Sequence, residues 1–301
     1  MSALAHIDDW TGGDTTVAEI DRRLGDLRRS VEQEGVPDLR TSVLTHLAWV
    51  PPEYEQAATD TLAGLAERHP SRAILLVPEP EAETDGLDAE ISVRCFSLPG
   101  LEAHVCSEVI ELRLRGKRAV APASIVSPLL IADLPVFIRW RGRPDFGSGP
   151  FEQLVELVDR LVVDSGEWAD LPAAYAQLAS LFDRVAASDI AWSRSLEWRR
   201  QLAGLWPGIA SARRLTVAGP RADALLLTGW LRSRLERELE LELEERPELE
   251  RLAVDGAAVE TPAGSRRSAS DLLSAELEQF TRDPVYEQAV LACADVQPIS
   301  A

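Results

Sequence analysis

The first side chains whose types suggest chemistry are Cys95, His104, Cys106 and Glu108. If the chain around them is an unbroken strand, His104, Cys106 and Glu108 share one face with Ile110, Leu112 and Leu114, because side chains two apart point the same way. An imidazole, a thiol and a carboxylate on an inward face would form a ligand set or an acid/base cluster, with Cys95 alongside. The alternative is plain: polar residues capping a strand end, dispersed by any bulge. No metal is expected here. The remaining histidines are isolated. His46 stands in an apolar stretch and reads as a core residue, and His69 precedes Pro70-Ser71-Arg72 at a helix-to-strand corner. There is no G-x-S-x-G elbow, no H-E-x-x-H, no G-x-G-x-x-G and no Walker sequence. Gly147-Ser148-Gly149 is a flexible loop. Gly219-Pro220, between a strand and a helix, either offers backbone N–H groups to an anion or simply starts the helix with a proline. No catalytic residue and no cofactor is therefore expected.

Three segments rich in Trp and Arg are more suggestive. Asp133-Leu134-Pro135-Val136-Phe137-Ile138-Arg139-Trp140-Arg141-Gly142 reads as a buried strand that emerges into aromatic and cationic residues. The carboxyl ends of strands are where open α/β sheets place their crevices. Asp159–Ser165 does the same with Asp164 and Ser165. Asp189–Arg200 carries Trp192, Arg194, Trp198 and Arg199 on one stretch. Trp and Arg are the types most enriched at interface hot spots, although Trp192 and Trp198 could equally pack the fold, with Arg194 and Arg199 paired to Asp159 or Asp164. Asp133, Asp164, Ser165, His104 and Glu108 are the residues expected to line a crevice.

These residues need elements to position them. Val17, Ile20, Leu24, Leu27 and Val31 recur at helical steps, with Asp14 and Thr15 as caps. Residues 41–50 read as a strand stopping at Pro51-Pro52, and Tyr54–Leu65 as a helix. Ala73–Val77 reads as a covered strand. Pro78–Asp88 is an acidic loop expected to be mobile. Ile91, Val93 and Cys95 alternate, as do Ile110, Leu112 and Leu114. Ala119–Ile131 is helical with Pro122 and Pro128 interrupting it. Leu134–Trp140 and Arg160–Val163 are strands flanking a helix at Phe151–Val158. Helix and strand thus alternate to Asp164, the pattern of a largely parallel covered sheet.

Beyond Ser165 the texture changes. Leu171–Ala187 and Ser193–Leu205 read as helices, Arg213–Ala218 as a strand and Arg221–Arg237 as a helix. Glu238–Glu244 is ELELELE, and strict period two puts Leu239, Leu241 and Leu243 on one face of a strand. Leu249–Val254 and Ala257–Thr261 are expected to complete an antiparallel meander turning at Asp255-Gly256. Ser270–Phe280 and Val285–Ala292 read as terminal helices. The expected architecture is α/β: an α/β domain with an N-terminal helix over 1–165, then a smaller α+β domain over 166–301.

Composition sets outer limits. The 301 residues carry 50 acidic and 31 basic side chains, a formal charge of −19. That excess argues against nonspecific binding to nucleic acid or to an anionic membrane. Lys117 is the one lysine, so any amine chemistry would fall to it alone. No apolar run approaches the ~20 residues of a membrane span, and the first residues show no secretory signal. Three cysteines without C-x-x-C argue against a disulfide scaffold and fit a reducing cytoplasm. Glu236–Glu250, with eight glutamates to two arginines, reads as a solvated strand protected by charge.

Six segments in order carry a family resemblance: HPSR at 69–72, CSE at 106–108, SPLLIADLPVFIRWRG at 127–142, DRLVVDS at 159–165, DIAWSRSLEWRRQLA at 189–203 and RDPVYEQAV at 282–290. Together they resemble the OpcA family, glucose-6-phosphate dehydrogenase assembly proteins or subunits. Arg139 departs from the pattern where a second Trp often precedes Trp-Arg-Gly, and Ser195 where Leu is usual. The resemblance implies a noncatalytic cytoplasmic partner that binds glucose-6-phosphate dehydrogenase, favours its active oligomer and raises its activity in the oxidative pentose phosphate pathway. In some members the partnership is redox-sensitive; Cys95, Cys106 and Cys293 are not matched to those cysteines, so redox control is not carried over. Trp140, Arg141, Trp192, Arg194, Trp198 and Arg199 are the residues expected to form or support the partner surface. Replacing Arg141 or Arg194 by Ala should then weaken co-purification and leave the fold intact. The competing expectation is an α/β enzyme or metabolite sensor that holds a sugar phosphate or nucleotide near Arg141 and Asp164.

Overall fold

The computed structural model describes residues 4–33, 42–65, 71–97, 104–263 and 267–300. The chain divides into two compact units, Met1–Leu161 and Val162–Ala301. The first begins with β1 (Leu4–Gly12) and α1 (Val17–Gln33), followed by β2 (Thr45–Trp49), α2 (Glu55–Ala63), β3 (Arg72–Glu79), β4 (Gly86–Ser97) and β5 (His104–Arg115). The short helices α3 (Lys117–Val120) and α4 (Ala123–Val126) lead to β6 (Val136–Trp140), α5 (Gly149–Val155) and β7 (Arg160–Val163), where the units divide.

An eight-stranded sheet runs β1-β4-β5-β3-β2-β6-β7, ending in β8 (Ala186–Asp189). Its β5–β3, β3–β2 and β2–β6 pairs are parallel, and β1–β4 and β4–β5 are antiparallel. All five residues of β2 and all five of β6 are buried, as expected of parallel strands covered on both faces. Ile20, Leu24 and Leu27 of α1 are buried at steps of four and three, the helical stripe that the sequence shows. Thr16, rather than Asp14 or Thr15, caps this helix, its hydroxyl accepting from the Glu19 N–H at 3.2 Å.

Several further expectations change. β1 was not foreseen; its two aspartates and closing glycine hide the period-two signal. The segment after β3 is a tight connection, not a long mobile loop: β4 already starts at Gly86, and Asp88 accepts from Arg115 at 3.1 Å. Cys95 and Cys106, directly opposed on β4 and β5, form a disulfide, whereas the cysteine count and spacing argued against a disulfide scaffold. Spacing rules look for C-x-x-C, but an antiparallel pair brings cysteines together across any hairpin. Of the CSE segment, Cys106 is therefore not a free thiol ligand.

The second unit continues with α6 (Ala173–Ala179), β8, α7 (Ile190–Arg194), α8 (Leu196–Gly204), β9 (Arg214–Gly219), α9 (Arg221–Leu235), β10 (Glu240–Glu245), β11 (Arg251–Val254), β12 (Ala257–Ala258), α10 (Ala269–Leu277), α11 (Pro284–Cys293) and β13 (Ile299–Ser300). Another change is here: the helix expected over 171–187 ends at Ala179, and its tail enters β8. The second sheet is ordered β12-β11-β9-β10-β13. β11 pairs antiparallel with β9 and β12, but β10 joins β9 in parallel. The antiparallel meander is thus β9, β11 and β12. β10 reaches the sheet by crossing over through α9.

The ELELELE segment behaves as its period requires. Leu239, Leu241 and Leu243 are buried. Its glutamates are held by cross-strand partners, which offsets their poor strand propensity: Glu240 pairs with Arg214 at 3.0 Å, and Glu242 accepts from the Thr216 hydroxyl at 3.0 Å. α9 is buried on every side from Ala222 to Gly229. At Gly229 a Cβ would lie 2.2 Å from the Ala289 carbonyl oxygen, so only glycine lets α9 and α11 approach this closely.

Candidate functional site

The densest constellation of titratable groups lies in the second unit, where β7 and β8 end. Asp164 follows β7 and accepts from the Gly166 N–H at 3.0 Å, turning the chain. Asp189 ends β8 and caps α7, accepting from the Ala191 N–H at 2.9 Å. The same oxygen, Oδ1, accepts from the Ser165 N–H at 3.0 Å. One carboxylate therefore ties two chain ends together. Tyr175 of α6 donates to Ser165 Oγ at 2.8 Å, and the Tyr286 hydroxyl of α11 stands 3.5 Å from Asp189 Oδ2. Asp189, Ser165, Tyr175 and Tyr286 are all fully buried.

Burial, then the neighbouring Asp164 charge, pushes the Asp189 carboxyl up to about 7, against the hydrogen bonds that favour its charged form. Burial also holds the Tyr175 and Tyr286 hydroxyls well above their usual range. Asp189 thus has the proton affinity of a general base, but no solvent reaches it. A proton-transfer site needs a substrate within hydrogen-bond reach, and this carboxyl is occupied by the fold.

Arg194, at the end of α7, completes the cluster. It grips Asp223 of α9 in a two-pronged pair, Nε to Oδ1 at 3.0 Å and Nη2 to Oδ2 at 3.1 Å. It also reaches Asp164 at 3.4 Å. Burial opposes the Arg194 charge, but Asp223 and Asp164 outweigh it and raise the guanidinium pKa further. Burial raises the Asp223 carboxyl despite Arg194. At Gly166 a Cβ would stand 2.9 Å from Arg194 Nη2, so this glycine makes room for the guanidinium. Asp223 carries no sequence signal beyond an acid between two alanines in a first helical turn. Its partner identifies it.

Trp192 and Trp198 are buried, so they are core and not surface. The Trp192 indole N–H donates to Asp283 Oδ2 at 3.0 Å, and Asp283 Oδ1 caps α11 through the Val285 and Tyr286 N–H groups. Arg199 lies over the Trp192 ring, 3.3 Å from its centroid, and donates to the Trp192 carbonyl at 3.0 Å. Burial lowers the Arg199 guanidinium to about 10, offset in part by Asp283 and Glu276. The segments DRLVVDS, DIAWSRSLEWRRQLA and RDPVYEQAV thus meet in one polar core through Asp164, Ser165, Asp189, Trp192, Arg194, Asp283 and Tyr286.

The first unit holds the remaining expected residues, and it does not gather them. Trp140 is buried, stacked on Trp49 with centroids 4.9 Å apart and edge-on to Phe151 at 5.0 Å. Arg141, just past the end of β6, donates to Thr61 Oγ1 at 3.0 Å and to the Ala57 carbonyl at 3.3 Å, clasping α2. Asp133 lies before β6, at the opposite end of that strand, with φ of 64°. Glu108 is buried between two arginines: Arg72 at 2.8 Å, itself bound to the Leu129 carbonyl, and Arg28 of α1. Burial would raise the Glu108 carboxyl, but Arg28 and Arg72 hold it below its usual value. Glu108 is therefore a carboxylate locked in an ion triad, not an acid/base group. His104 opens β5, and His69 lies outside the described residues. Asp164 and Ser165 follow β7, Asp133 precedes β6, and His104 and Glu108 lie on β5.

Among the described residues no group of three or more His, Cys, Asp or Glu could hold a metal ion, and no helix is long and apolar enough to cross a membrane. The anion reading of Gly219-Pro220 also loses ground. Leu249 fills the space beside Gly219, and Asp223 places a carboxylate in the first turn of α9.

Comparison with known proteins adds to this geometry. Residues 63–180 match the family model for the glucose-6-phosphate dehydrogenase subunit N-terminal domain, and residues 185–290 match that for its C-terminal domain, both under the OpcA name. The chain is 29% identical over 183 residues to a protein of Nostoc punctiforme named OxPP cycle protein OpcA, covering 57% of this chain and 39% of that one. It is 27% identical over 186 residues to the protein of the same name from Synechocystis, covering 57% and 38%. The chain thus spans about two-fifths of the length of these relatives.

Proposed function

This chain belongs to the OpcA family, and from that premise we propose that it is a noncatalytic partner of glucose-6-phosphate dehydrogenase in the oxidative pentose phosphate pathway. The observation that carries the reading is the match, in order along residues 63–290, to both domains of a glucose-6-phosphate dehydrogenase subunit. The site geometry supports it. The groups with the strongest chemical character, Asp189, Asp223 and Ser165, are sealed from solvent and occupied by Arg194, Tyr175 and backbone N–H groups. They hold a scaffold in one conformation.

A partner of this kind acts by differential affinity. It binds the active oligomer of the dehydrogenase more tightly than the inactive form and shifts the population accordingly. Moving that equilibrium from 1:99 to 99:1 takes about a 10⁴-fold difference in affinity. The direct test is dehydrogenase activity and sedimentation, measured with and without this protein over a concentration series. Saturable stimulation together with a larger dehydrogenase species is expected. Absence of both a complex and a rate change refutes the proposal.

A further inference from the structure

The three tryptophans of the family-like segments, Trp140, Trp192 and Trp198, are buried, so an exposed aromatic anchor has to be sought outside them. Residues 203–208, Ala-Gly-Leu-Trp-Pro-Gly, are all exposed and carry no charge. They run from the last residues of α8 into a short 3-10 turn at Gly208–Ser211. Trp206 is 65% exposed, and Leu205 is 41% exposed. An exposed apolar run of this length works against solubility unless something covers it. The backbone beneath it is well made: the Trp206 N–H donates to Ala203, and Ile209, itself buried, donates to Leu205. The run is therefore a firm knob on an ordered base.

The rim of the knob is cationic. Arg213 follows the 3-10 turn, and Arg237 is anchored beside it by donating to the Ala210 carbonyl at 3.0 Å. Both are exposed, and neither pairs with a carboxylate of another described residue. Asp255 is engaged by the Arg213 and Arg214 backbone N–H groups. Nearby Arg200, by contrast, is neutralised by Glu197 at 2.6 Å. On a chain of net charge −19, two exposed arginines without a carboxylate partner among the described residues stand out, one a few residues after Trp206 and the other bound to the Ala210 carbonyl.

We propose that Leu205 and Trp206, flanked by Arg213 and Arg237, dock into an apolar hollow rimmed by carboxylates on a partner protein, and that this partner is the dehydrogenase. The inference rests on the function proposed above. A second copy of this chain is a poor occupant. A two-fold contact through this patch would set Arg213 and Arg237 against their own counterparts, and any other self-contact would bring two chains of charge −19 together. Trp and Arg are the residues that carry most interface energy when their pocket excludes water, and the arginines steer encounter with an acidic surface.

The test is the affinity of the full chain for purified dehydrogenase, by biolayer interferometry at several salt concentrations. Trp206→Ala should weaken binding by about 30-fold or more, as truncation of a hot-spot aromatic does. Arg213→Glu with Arg237→Glu should slow association by about tenfold and flatten its salt dependence. Val120→Ser, another exposed apolar position, should bind as the unsubstituted chain does. Circular dichroism and the thermal midpoint of Trp206→Ala should be unchanged, because the side chain faces solvent. If the unsubstituted chain binds and both variants bind equally well, the docking surface is refuted while the proposed function stands. If the unsubstituted chain does not bind, both fall. If sedimentation shows a dimer of this chain that Trp206→Ala dissolves, the occupant is a second copy and the proposal is overturned.

Discussion

Asp189→Asn should make the protein more stable at pH 8 and not at pH 4. The reasoning starts from the carboxyl, pushed up to about 7 in the folded chain, against about 3.9 in an unfolded one. Folding therefore takes up a proton between these values. A group whose folded pKa is raised stabilises fully below its unfolded pKa, and that contribution is lost as pH rises through the folded pKa. Three units at about 1.4 kcal/mol each amount to roughly 4 kcal/mol, all of it lost above pH 7. Asn is close to isosteric. Its Oδ1 keeps both acceptors' duties, to the Ser165 and Ala191 N–H groups, and its amide can donate toward the Tyr286 hydroxyl. It carries no charge to bury at any pH.

The groups facing Asp189 that also titrate or carry charge are Asp164, Arg194, Tyr175, Tyr286 and Cys293. They are common to both proteins and largely cancel in the difference. Urea unfolding should be followed by tryptophan fluorescence from pH 4 to 8, since five of the eight tryptophans lie in Val162–Ala301. The stability difference, Asn minus Asp, should climb with a slope of about 1.4 kcal/mol per pH unit in mid-range and level off above pH 7. A flat difference, or one that falls with pH, would mean that Asp189 is ionised in the fold and that the Arg194 field overrides burial.

Arg194→Met should cost about 3–5 kcal/mol in urea unfolding, because it strands the buried Asp223 carboxylate. Adding Asp223→Asn should restore most of that loss, and a single-variant cost below about 1 kcal/mol would contradict the pairing. Arg194→Ala is accordingly not a fold-neutral probe of partner binding, contrary to the expectation from sequence. Glu108→Gln should destabilise by about 3–5 kcal/mol at pH 7, where it leaves Arg28 and Arg72 without their carboxylate. The lowered folded pKa means that this contribution exists above the unfolded value and fades as pH falls, so the gap between the two proteins should narrow on acidification; parallel stability curves would refute it. Reducing Cys95–Cys106, eleven residues apart, should lower stability by about 3 kcal/mol, read as a fall in thermal midpoint with a phosphine reductant that Cys95→Ser/Cys106→Ser does not show. Alkylation of the oxidised chain after unfolding should label Cys293 alone.

The parts of the fold that could be read from sequence are those where one residue pattern has one structural solution. Ile110, Leu112 and Leu114 alternate, and so do Leu239, Leu241 and Leu243; each set is buried as a strand face. The parts that escaped are those decided by partners far along the chain. β8 is four residues, Ala-Ala-Ser-Asp, with poor strand propensity; its place in the sheet comes from neighbours and not from its own side chains. β10 carries the same alternation whether it lies beside β9 or β11, so period two could not choose between a meander and a crossover. Cys95 and Cys106 meet because β4 and β5 are in register, a fact no local spacing encodes.

The two uses of the candidate-site residues could not be told apart in the sequence for a related reason. Trp and Arg mark interface hot spots, but Trp also fills cores, and Arg also neutralises buried acids. Residue type alone does not separate the two uses; solvent exposure does. Trp192 is 5% exposed and ends on Asp283, whereas Trp206 is 65% exposed and its indole N–H has no hydrogen bond among the described residues. Arg194 is spoken for by Asp223 and Asp164, whereas Arg213 and Arg237 have no carboxylate among the described residues. A partner can only read atoms that reach solvent. Under the proposed function, the segments that carry the family resemblance would act on the dehydrogenase indirectly, by holding α7, α8 and α11 in one arrangement. α8, fixed at its start by Trp192 and Arg199, is the element that presents Leu205 and Trp206 at its end. In this reading the buried acids and arginines set the direction of the knob, and the knob supplies the contact.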